Sequence, residues 1–247
     1  MNTREEISIF LKDVAEYLTG IKHQDPAVHW NNFDATRRYN GVDWPQNSLS
    51  MIGMQRMLNI QKLLFDVIDN NVPGDFIETG VWRGGACIFA ATILKLLKIT
   101  DRNVWVADSF KGLPKPDPKY KQDDGDMFWK EDMLRISLDE VKKNFDTFQL
   151  LTEQVKFLEG WFSETLPTLH NETFSIIRLD GDMYGSTIDA LNNLYPRLSV
   201  GGYVIIDDWT LQGARSAVND YRTQHTINDE IILIEQEGYS CYWQKSK

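Results

Sequence analysis

Apolar residues recur at helical spacing from Met51 to Ile68, and Pro73-Gly74 ends that pattern. Short apolar runs that are typical of buried strands then alternate with helical segments along the rest of the chain. Units that alternate in this way predict an α/β fold with a doubly wound, mostly parallel sheet and helices on both faces. The predicted strands cover residues 75–79, 103–108, 155–158, 174–179 and 202–206, and the predicted helices follow Gly84-Gly85, run through ALNNLYPRL and run through GARSAVNDYRTQ.

Both ends of the chain depart from this alternation. The first fifty residues are rich in aromatic side chains and are predicted to be irregular. Together with the predicted helix at 51–68 they form an N-terminal helical extension over residues 1–72. The C-terminal sequence EIILIEQEGYSCYW predicts two strands joined at Glu237-Gly238, a hairpin that adds an antiparallel edge to the sheet. We predict a single domain over residues 1–247, with its core at 73–247.

The connection between the second and third predicted strands is about fifty residues long and interrupts the pattern. It includes the segment SLDEVKKNF, which predicts a helix capped by Ser137. The insertion at about 115–150 has two interpretations, because long connections beside strand ends are often lids or binding loops. It is either such a loop or a solvated surface excursion.

The acidic composition narrows the possible partners. The chain has 36 acidic against 26 basic residues, a net charge of −10, whereas nucleic-acid and anionic-membrane partners require a basic face. No signal peptide opens the sequence, and no window approaches the roughly 20 apolar residues of a membrane span. Two cysteines do not make a disulfide framework. We therefore expect a cytoplasmic protein with no nucleic-acid or membrane partner.

A glycine-rich turn follows the first predicted strand in the run ETGVWRGG, which begins at Glu78. Glycines there let the backbone approach a ligand, and ligands of open parallel sheets bind at the carboxyl ends of the strands. A carboxylate beside the turn repels the pyrophosphate of NAD and suits the ammonium of an amino-acid moiety. Asp108 ends the second strand, where its side chain either accepts hydrogen bonds from ribose hydroxyls or caps a turn with Ser109. The third strand ends in Glu159-Gly160-Trp161, whose indole is a candidate to lie against an adenine.

Four aspartates lie at the carboxyl ends of the fourth and fifth predicted strands: Asp180, Asp182, Asp207 and Asp208. Four carboxylates on adjacent strands repel one another unless they share a cation or a proton, and Mg²⁺ or Mn²⁺ prefers such oxygen ligands. Zinc fits poorly, because the four histidines show no ligand spacing. A divalent ion lowers the pKa of a coordinated hydroxyl, and a carboxylate that is not bound to the ion can take the proton. The alternative is a set of structural caps and surface charges.

Five further segments stand out along the chain: DWPxxxxSMIGMQRMLNIQ from Asp43, ETGVWRGGACIF from Glu78, ADSFKGLP from Ala107, LDGDMYGSTIDALNNLYPRLSVGGYVIIDDW from Leu179, and GARSAVNDYR from Gly213. These segments resemble the macrocin (TylF-type) O-methyltransferase family. The resemblance implies the class I methyltransferase (Rossmann-like) sheet, S-adenosylmethionine as methyl donor, a magnesium-dependent mechanism and a homo-oligomer.

Carried over by position, the resemblance implies roles for individual residues. Asp180, Asp207 and Asp208 would be the metal ligands, and Asp182 would be the general base, although Asp180 and Asp182 can exchange these parts. The candidate cofactor contacts are Glu78, Thr79, Gly80, Asp108, Ser109, Gly160, Trp161 and Asp180. The N-terminal forty residues and the insertion after Pro114 match no family segment and are expected to shape the acceptor site.

The predicted activity is a divalent-metal-dependent O-methyltransferase that uses S-adenosylmethionine. Its expected substrate is a small sugar-containing molecule, and the methylated group is a sugar hydroxyl of a glycosylated natural product or of a polysaccharide or glycolipid precursor. The first alternative is a metal-dependent methyltransferase for catechols or other phenols. An NAD-dependent oxidoreductase and a cofactor-binding protein without catalysis are the two others.

Overall fold

A computed structural model of the chain describes residues 3–236 and 238–247. Within these ranges the chain builds a seven-stranded sheet with the strand order β3-β2-β1-β4-β5-β7-β6. The strands are β1 (Asp75–Thr79), β2 (Val104–Asp108), β3 (Val155–Glu159), β4 (Phe174–Leu179), β5 (Leu198–Ile206), β6 (Ile232–Leu233) and β7 (Cys241–Gln244). The first five run parallel, and β7 pairs antiparallel with β5 and with β6. The strand order therefore reverses between β1 and β4.

Helices cover both faces of this sheet. They are α1 (Arg4–Leu18), α2 (Ala35–Asn40), α3 (Gly53–Asp69), α4 (Gly85–Leu97), α5 (Leu138–Thr147), α6 (Phe162–Thr165), α7 (Tyr184–Leu194) and α8 (Gln212–Gln224). Successive residues of β1 face opposite cores: Phe76 packs in one apolar cluster with α3 and α4, and Ile77 in another with α7 and α8. The predicted doubly wound α/β fold is confirmed. No helix in the described ranges combines the length and apolarity that crossing a bilayer requires.

The predicted strands agree closely with the structure because each is a buried apolar run bounded by turn residues. The first and fourth strands have the predicted bounds, whereas β5 begins four residues early, at Leu198. Leu198 pairs with Phe174, and the register then shifts, so that Tyr203 pairs with Ile176. The extra residues bulge out of the ladder at Gly201, whose φ is +85°.

The prediction that the first fifty residues are irregular was wrong. Thr3 and Glu6 form a reciprocal capping box that begins α1, and Leu11, Ala15 and Leu18 form its buried stripe. This stripe packs in the same apolar cluster as Phe76 of the sheet. The shared core favours a single domain over the whole chain, which stays a prediction.

The C-terminal hairpin is present in a reduced form. Its first strand has two residues, Ile232–Leu233, because the chain turns inward at Glu235, whose buried carboxylate accepts hydrogen bonds from the backbone N–H and the hydroxyl of Ser240. The predicted turn at Glu237-Gly238 includes Glu237, which lies outside the described residues. The antiparallel edge itself is confirmed by the pairing of β7 with β5.

Candidate functional site

A cavity of about 630 Å³ opens at the carboxyl ends of the parallel strands, on both sides of the point where the strand order reverses. In doubly wound sheets this is where ligands bind. The cavity wall includes every sequence-predicted site residue except Thr79: Glu78, Gly80, Asp108, Ser109, Gly160, Trp161, Asp180, Asp182, Asp207 and Asp208. The structure thus brings together residues that lie up to 130 positions apart in the chain.

The first glycine of the turn is required by the protein itself. Gly80 has a φ of +85°, and a Cβ atom built on it would lie 1.8 Å from the carbonyl oxygen of Asp180. The turns after β1 and β4 touch here, so any side chain at position 80 would push the aspartate loop away. The prediction that this glycine admits a ligand is not tested by that contact.

Glu78 is buried and already has two partners in the protein. Its Oε1 accepts a hydrogen bond from Arg178, and its Oε2 accepts one from the thiol of Cys87 at 2.8 Å. Burial raises the pKa of the Glu78 carboxyl, and the guanidinium of Arg178 offsets only part of that rise. Each carboxylate oxygen therefore already accepts one hydrogen bond from the protein. The predicted contact of Glu78 with an ammonium group stays a prediction.

Asp108 organises the turn above the sheet. Its carboxylate accepts the backbone N–H groups of Val81 at 2.8 Å and Phe110 at 2.7 Å, so the turn-capping interpretation is confirmed. The side chain also lines the cavity, which leaves the predicted ribose contact open. Its backbone carbonyl accepts the N–H of Gly160 at 2.9 Å, and Trp161 follows on the same wall.

Three of the four aspartates converge on one point. Carboxylate oxygens of Asp180, Asp207 and Asp208 all lie within 4.8 Å of one another. The fourth, Asp182, stands beside them with a left-handed φ of +58°, and its backbone N–H donates to Asp208 Oδ2 at 2.9 Å. Asp180, Asp207 and Asp208 thus form the set that could hold an ion, and the division of roles between Asp180 and Asp182 stays a prediction.

Two buried arginines complete the cluster, and the sequence analysis missed both. Arg178, the penultimate residue of β4, donates to Glu78, Asp180 and Asp207. Arg56, on α3, donates to Asp207 at 2.5 Å and to Glu235 at 2.7 Å. A charged residue inside the otherwise apolar strand FSIIRL was the available signal for Arg178, because an unpaired charge is almost never buried.

Three carboxyl groups of the cluster, those of Asp180, Asp182 and Asp208, hold their protons more tightly than free aspartates do. Burial raises the pKa of Asp180 and of Asp208, and the neighbouring carboxylates add to the rise. Burial, with the carboxylates of Asp126 and Asp207, raises the pKa of Asp182 to about 7. A site of this kind favours an additional positive charge.

The N-terminal segment and the insertion form the outer wall of the cavity. Trp44 from the former and Phe128 from the latter both line it, with their ring centroids 6.1 Å apart. Val42 and Leu134 extend this apolar wall. The binding-loop interpretation of the insertion is therefore favoured over a solvated excursion.

Comparisons with known proteins agree over nearly the whole chain. A family model described as macrocin O-methyltransferase (TylF) matches residues 5–245. The chain is 46% identical over 255 residues to demethyldecarbamoylnovobiocin O-methyltransferase of Streptomyces niveus, covering 99% of this chain and 96% of that one. It is 41% identical over 248 residues to 8-demethyl-8-(2,3-dimethoxy-alpha-L-rhamnosyl)-tetracenomycin-C 4'-O-methyltransferase of Streptomyces olivaceus, covering 98% and 94%. The solved structure of the O-methyltransferase NovP superposes with a TM-score of 0.93 at 45% identity, covering 97% of this chain and 99% of that one.

Proposed function

The chain belongs to the macrocin O-methyltransferase family, and on that premise we propose that it transfers a methyl group from S-adenosylmethionine to a sugar hydroxyl of a glycosylated natural product, with the help of a divalent metal ion. The family match and the likeness to NovP confirm the class I methyltransferase fold and the O-methyltransferase class. They contradict the NAD-dependent oxidoreductase and the protein without catalysis. The relative named for a rhamnosyl substrate favours a sugar over a catechol as acceptor.

The convergence of Asp180, Asp207 and Asp208 beside the cofactor turn carries the proposal. The cluster contains the carboxylates of these three aspartates and of Glu78 and Glu235. These five carboxylates surround two guanidinium groups, those of Arg56 and Arg178. This excess of negative charge and the all-oxygen donor set fit Mg²⁺ or Mn²⁺. Asp207 already accepts from both arginines, but each carboxylate oxygen has a second lone pair.

Asp180, Asp207 and Asp208 would hold the ion, which when bound lowers the pKa of a coordinated sugar hydroxyl. Asp182 is the best candidate to accept the hydroxyl proton, because it lies in the cavity wall beside Asp208 without belonging to the converging set of three, and burial raises its pKa. Asp182 has a left-handed φ, and its backbone N–H donates a hydrogen bond to Asp208. This bond keeps the proposed base next to the proposed metal ligands. The remaining requirement is in-line placement of the methyl donor, for which both substrates would share the one cavity.

The charges of the cavity wall favour a neutral acceptor. Nine carboxylates line it: Glu78, Asp108, Asp117, Asp123, Asp180, Asp182, Asp189, Asp207 and Asp208. Among the residues that the structure describes, three cationic ones line it, namely Arg56, Lys115 and Lys119, and Arg56 and Lys119 have carboxylate partners. A nucleotide-diphosphate sugar would meet net repulsion there, whereas an apolar aglycone fits the wall of Trp44 and Phe128. We therefore favour methylation after glycosyl transfer.

The proposal is tested with the variant Asp208→Asn. We expect it to lower Mg²⁺-dependent methyl transfer to a glycosylated acceptor by about 100-fold or more, because a coordinating anion is lost. Affinity for S-adenosylhomocysteine, measured by titration calorimetry, should stay within about twofold, since the cofactor turn is intact. Asp101→Asn, an exposed position before the amino end of β2, is the matched control. Full activity of Asp208→Asn in the presence of a chelator would contradict the metal proposal.

The cofactor assignment is tested separately at Asp108. We expect Asp108→Ala to weaken S-adenosylhomocysteine binding by about tenfold or more, because hydrogen bonds to a charged group contribute about 1.5–3 kcal/mol. Calorimetry of the wild type and the variant measures the change, and NAD serves as a ligand that neither should bind. Unchanged affinity in Asp108→Ala would remove the ribose contact.

A further inference from the structure

The first turn of α7 is capped by a residue of the insertion. Asp123 is only 4% exposed, and its two carboxylate oxygens accept the backbone N–H groups of Tyr184 at 2.6 Å and Gly185 at 3.0 Å. Met183, the N-cap residue of α7, supplies no side-chain cap. The unsatisfied donors of a helix start are usually capped by a residue next to them in sequence, whereas Asp123 lies about sixty residues upstream.

Two glycines make room for this contact. A Cβ atom on Gly185 would lie 3.0 Å from Cδ2 of Tyr120, and one on Gly213 would lie 2.7 Å from Oδ1 of Asp123. Both glycines lie in helices, in α7 and α8, where glycine is less favourable than alanine. Their presence is explained by the close approach of the insertion, whose Tyr120 ring also packs 5.0 Å from that of Tyr184.

The capped turn continues directly from the aspartate loop. Asp182, with its φ of +58°, lies two residues before Tyr184, and Met183 between them is buried. The position of the Asp182 side chain therefore depends on two anchors: its own N–H bond to Asp208 and the start of α7. Asp123 fixes the second anchor from the segment that also carries Phe128 on the acceptor wall.

We propose that Asp123 is a positioning residue, which holds the start of α7 and thereby links the insertion wall of the acceptor cavity to the placement of Asp182. This inference rests on the proposed function, since it takes Asp182 as the proton acceptor. Asp123 touches neither reacting group in this account. It acts through the backbone of Tyr184 and Gly185.

The variant Asp123→Asn tests the link. A carboxamide has one acceptor oxygen, so one of the two N–H groups would face an amide donor. We expect kcat to fall about tenfold, amide hydrogen exchange at Tyr184 and Gly185 to become at least about tenfold faster, and S-adenosylhomocysteine affinity to stay unchanged. Asp124→Asn, the exposed neighbour, is the control and should change none of the three.

Each outcome bears on one proposal. Faster exchange with an unchanged kcat in Asp123→Asn, while Asp182→Asn is inactive, would overturn the positioning role and leave the proposed function standing. An active Asp182→Asn would instead remove the proposed base. A loss of S-adenosylhomocysteine affinity in Asp123→Asn would also overturn the positioning role, because the effect would then be general.

A second pair of variants decides the matter if Asp123→Asn does not fold. Gly185→Ala places a methyl group against Tyr120 while it improves the helix propensity of α7. We expect its kcat to fall while its Tm changes little, because the gain in helix propensity offsets part of the cost of the displaced contact. In a chain that already carries Tyr120→Ala, Gly185→Ala should not lower kcat further, because the new methyl group no longer meets the ring of Tyr120. Additive losses in the double variant would overturn the link.

Discussion

Replacing Asp182 with asparagine should lower kcat for methyl transfer by about 10²–10⁴-fold, the usual contribution of a general base. The amide has nearly the same shape and keeps the backbone N–H bond to Asp208 at 2.9 Å, so the loop should hold its position. It accepts no proton at any relevant pH. Single-turnover rates with saturating S-adenosylmethionine measure the loss, and calorimetry with S-adenosylhomocysteine checks that the cofactor site is unchanged.

The same variant has a signature in its pH profile. Without a bound cation, burial raises the pKa of Asp182 to about 7. The carboxylate is the reactive form, so the wild-type rate should rise with pH as Asp182 ionises. A cation bound at the three neighbouring aspartates moves the rise to lower pH. The residual rate of Asp182→Asn should lack this rise. A variant that loses rate but keeps the wild-type profile would point to Asp180 as the proton acceptor.

Local sequence was enough to predict most of the fold. The strands at 75–79 and 174–179 were predicted with the observed bounds, because buried strands of a parallel sheet are apolar runs that end at turn residues. The aspartates were predicted for the same reason: they follow strands, and the carboxyl ends of neighbouring parallel strands lie together. α1 was missed although its signals are local, namely the Thr3–Glu6 capping box and the stripe Leu11, Ala15, Leu18.

The partners inside the site were beyond the sequence, because tertiary packing alone decides them. Arg56 reaches Asp207 from a helix 151 residues away in the chain. Asp123 caps a helix whose own start gave no sign that it needs a distant cap. At Gly80 the sequence does not reveal that the carbonyl oxygen of Asp180 would lie nearest to a Cβ, and the predicted approach of a ligand there stays a prediction. In each case the sequence shows the residue, whereas its contact partner depends on how distant segments pack in the folded chain.

Arg178→Met should have the largest effect on stability. Arg178 is fully buried and pairs with the carboxylates of Glu78, Asp180 and Asp207. Methionine is of similar length and apolar, so the change removes the charge with little loss of volume. The three carboxylates then lose their shared cation, and removing one partner of a buried ion pair costs about 3–5 kcal/mol. Urea unfolding at pH 7.5 measures the loss of free energy of unfolding.

The pH dependence of the lost free energy of unfolding distinguishes the loss of the ion pairs from a packing defect. Without Arg178 the pKa values of Glu78 and Asp180, which burial already raises, move further above those of the unfolded chain, which are about 4. The deficit is then present at neutral pH, shrinks as pH falls, and is lost below about 4, where these carboxyls are protonated in both states. A packing defect would be nearly constant over this range. Arg4→Met breaks the exposed pair with Asp69 and should cost about 1 kcal/mol or less at any pH. A pH-independent deficit in Arg178→Met would mean that the charge cluster is not what makes this arginine necessary.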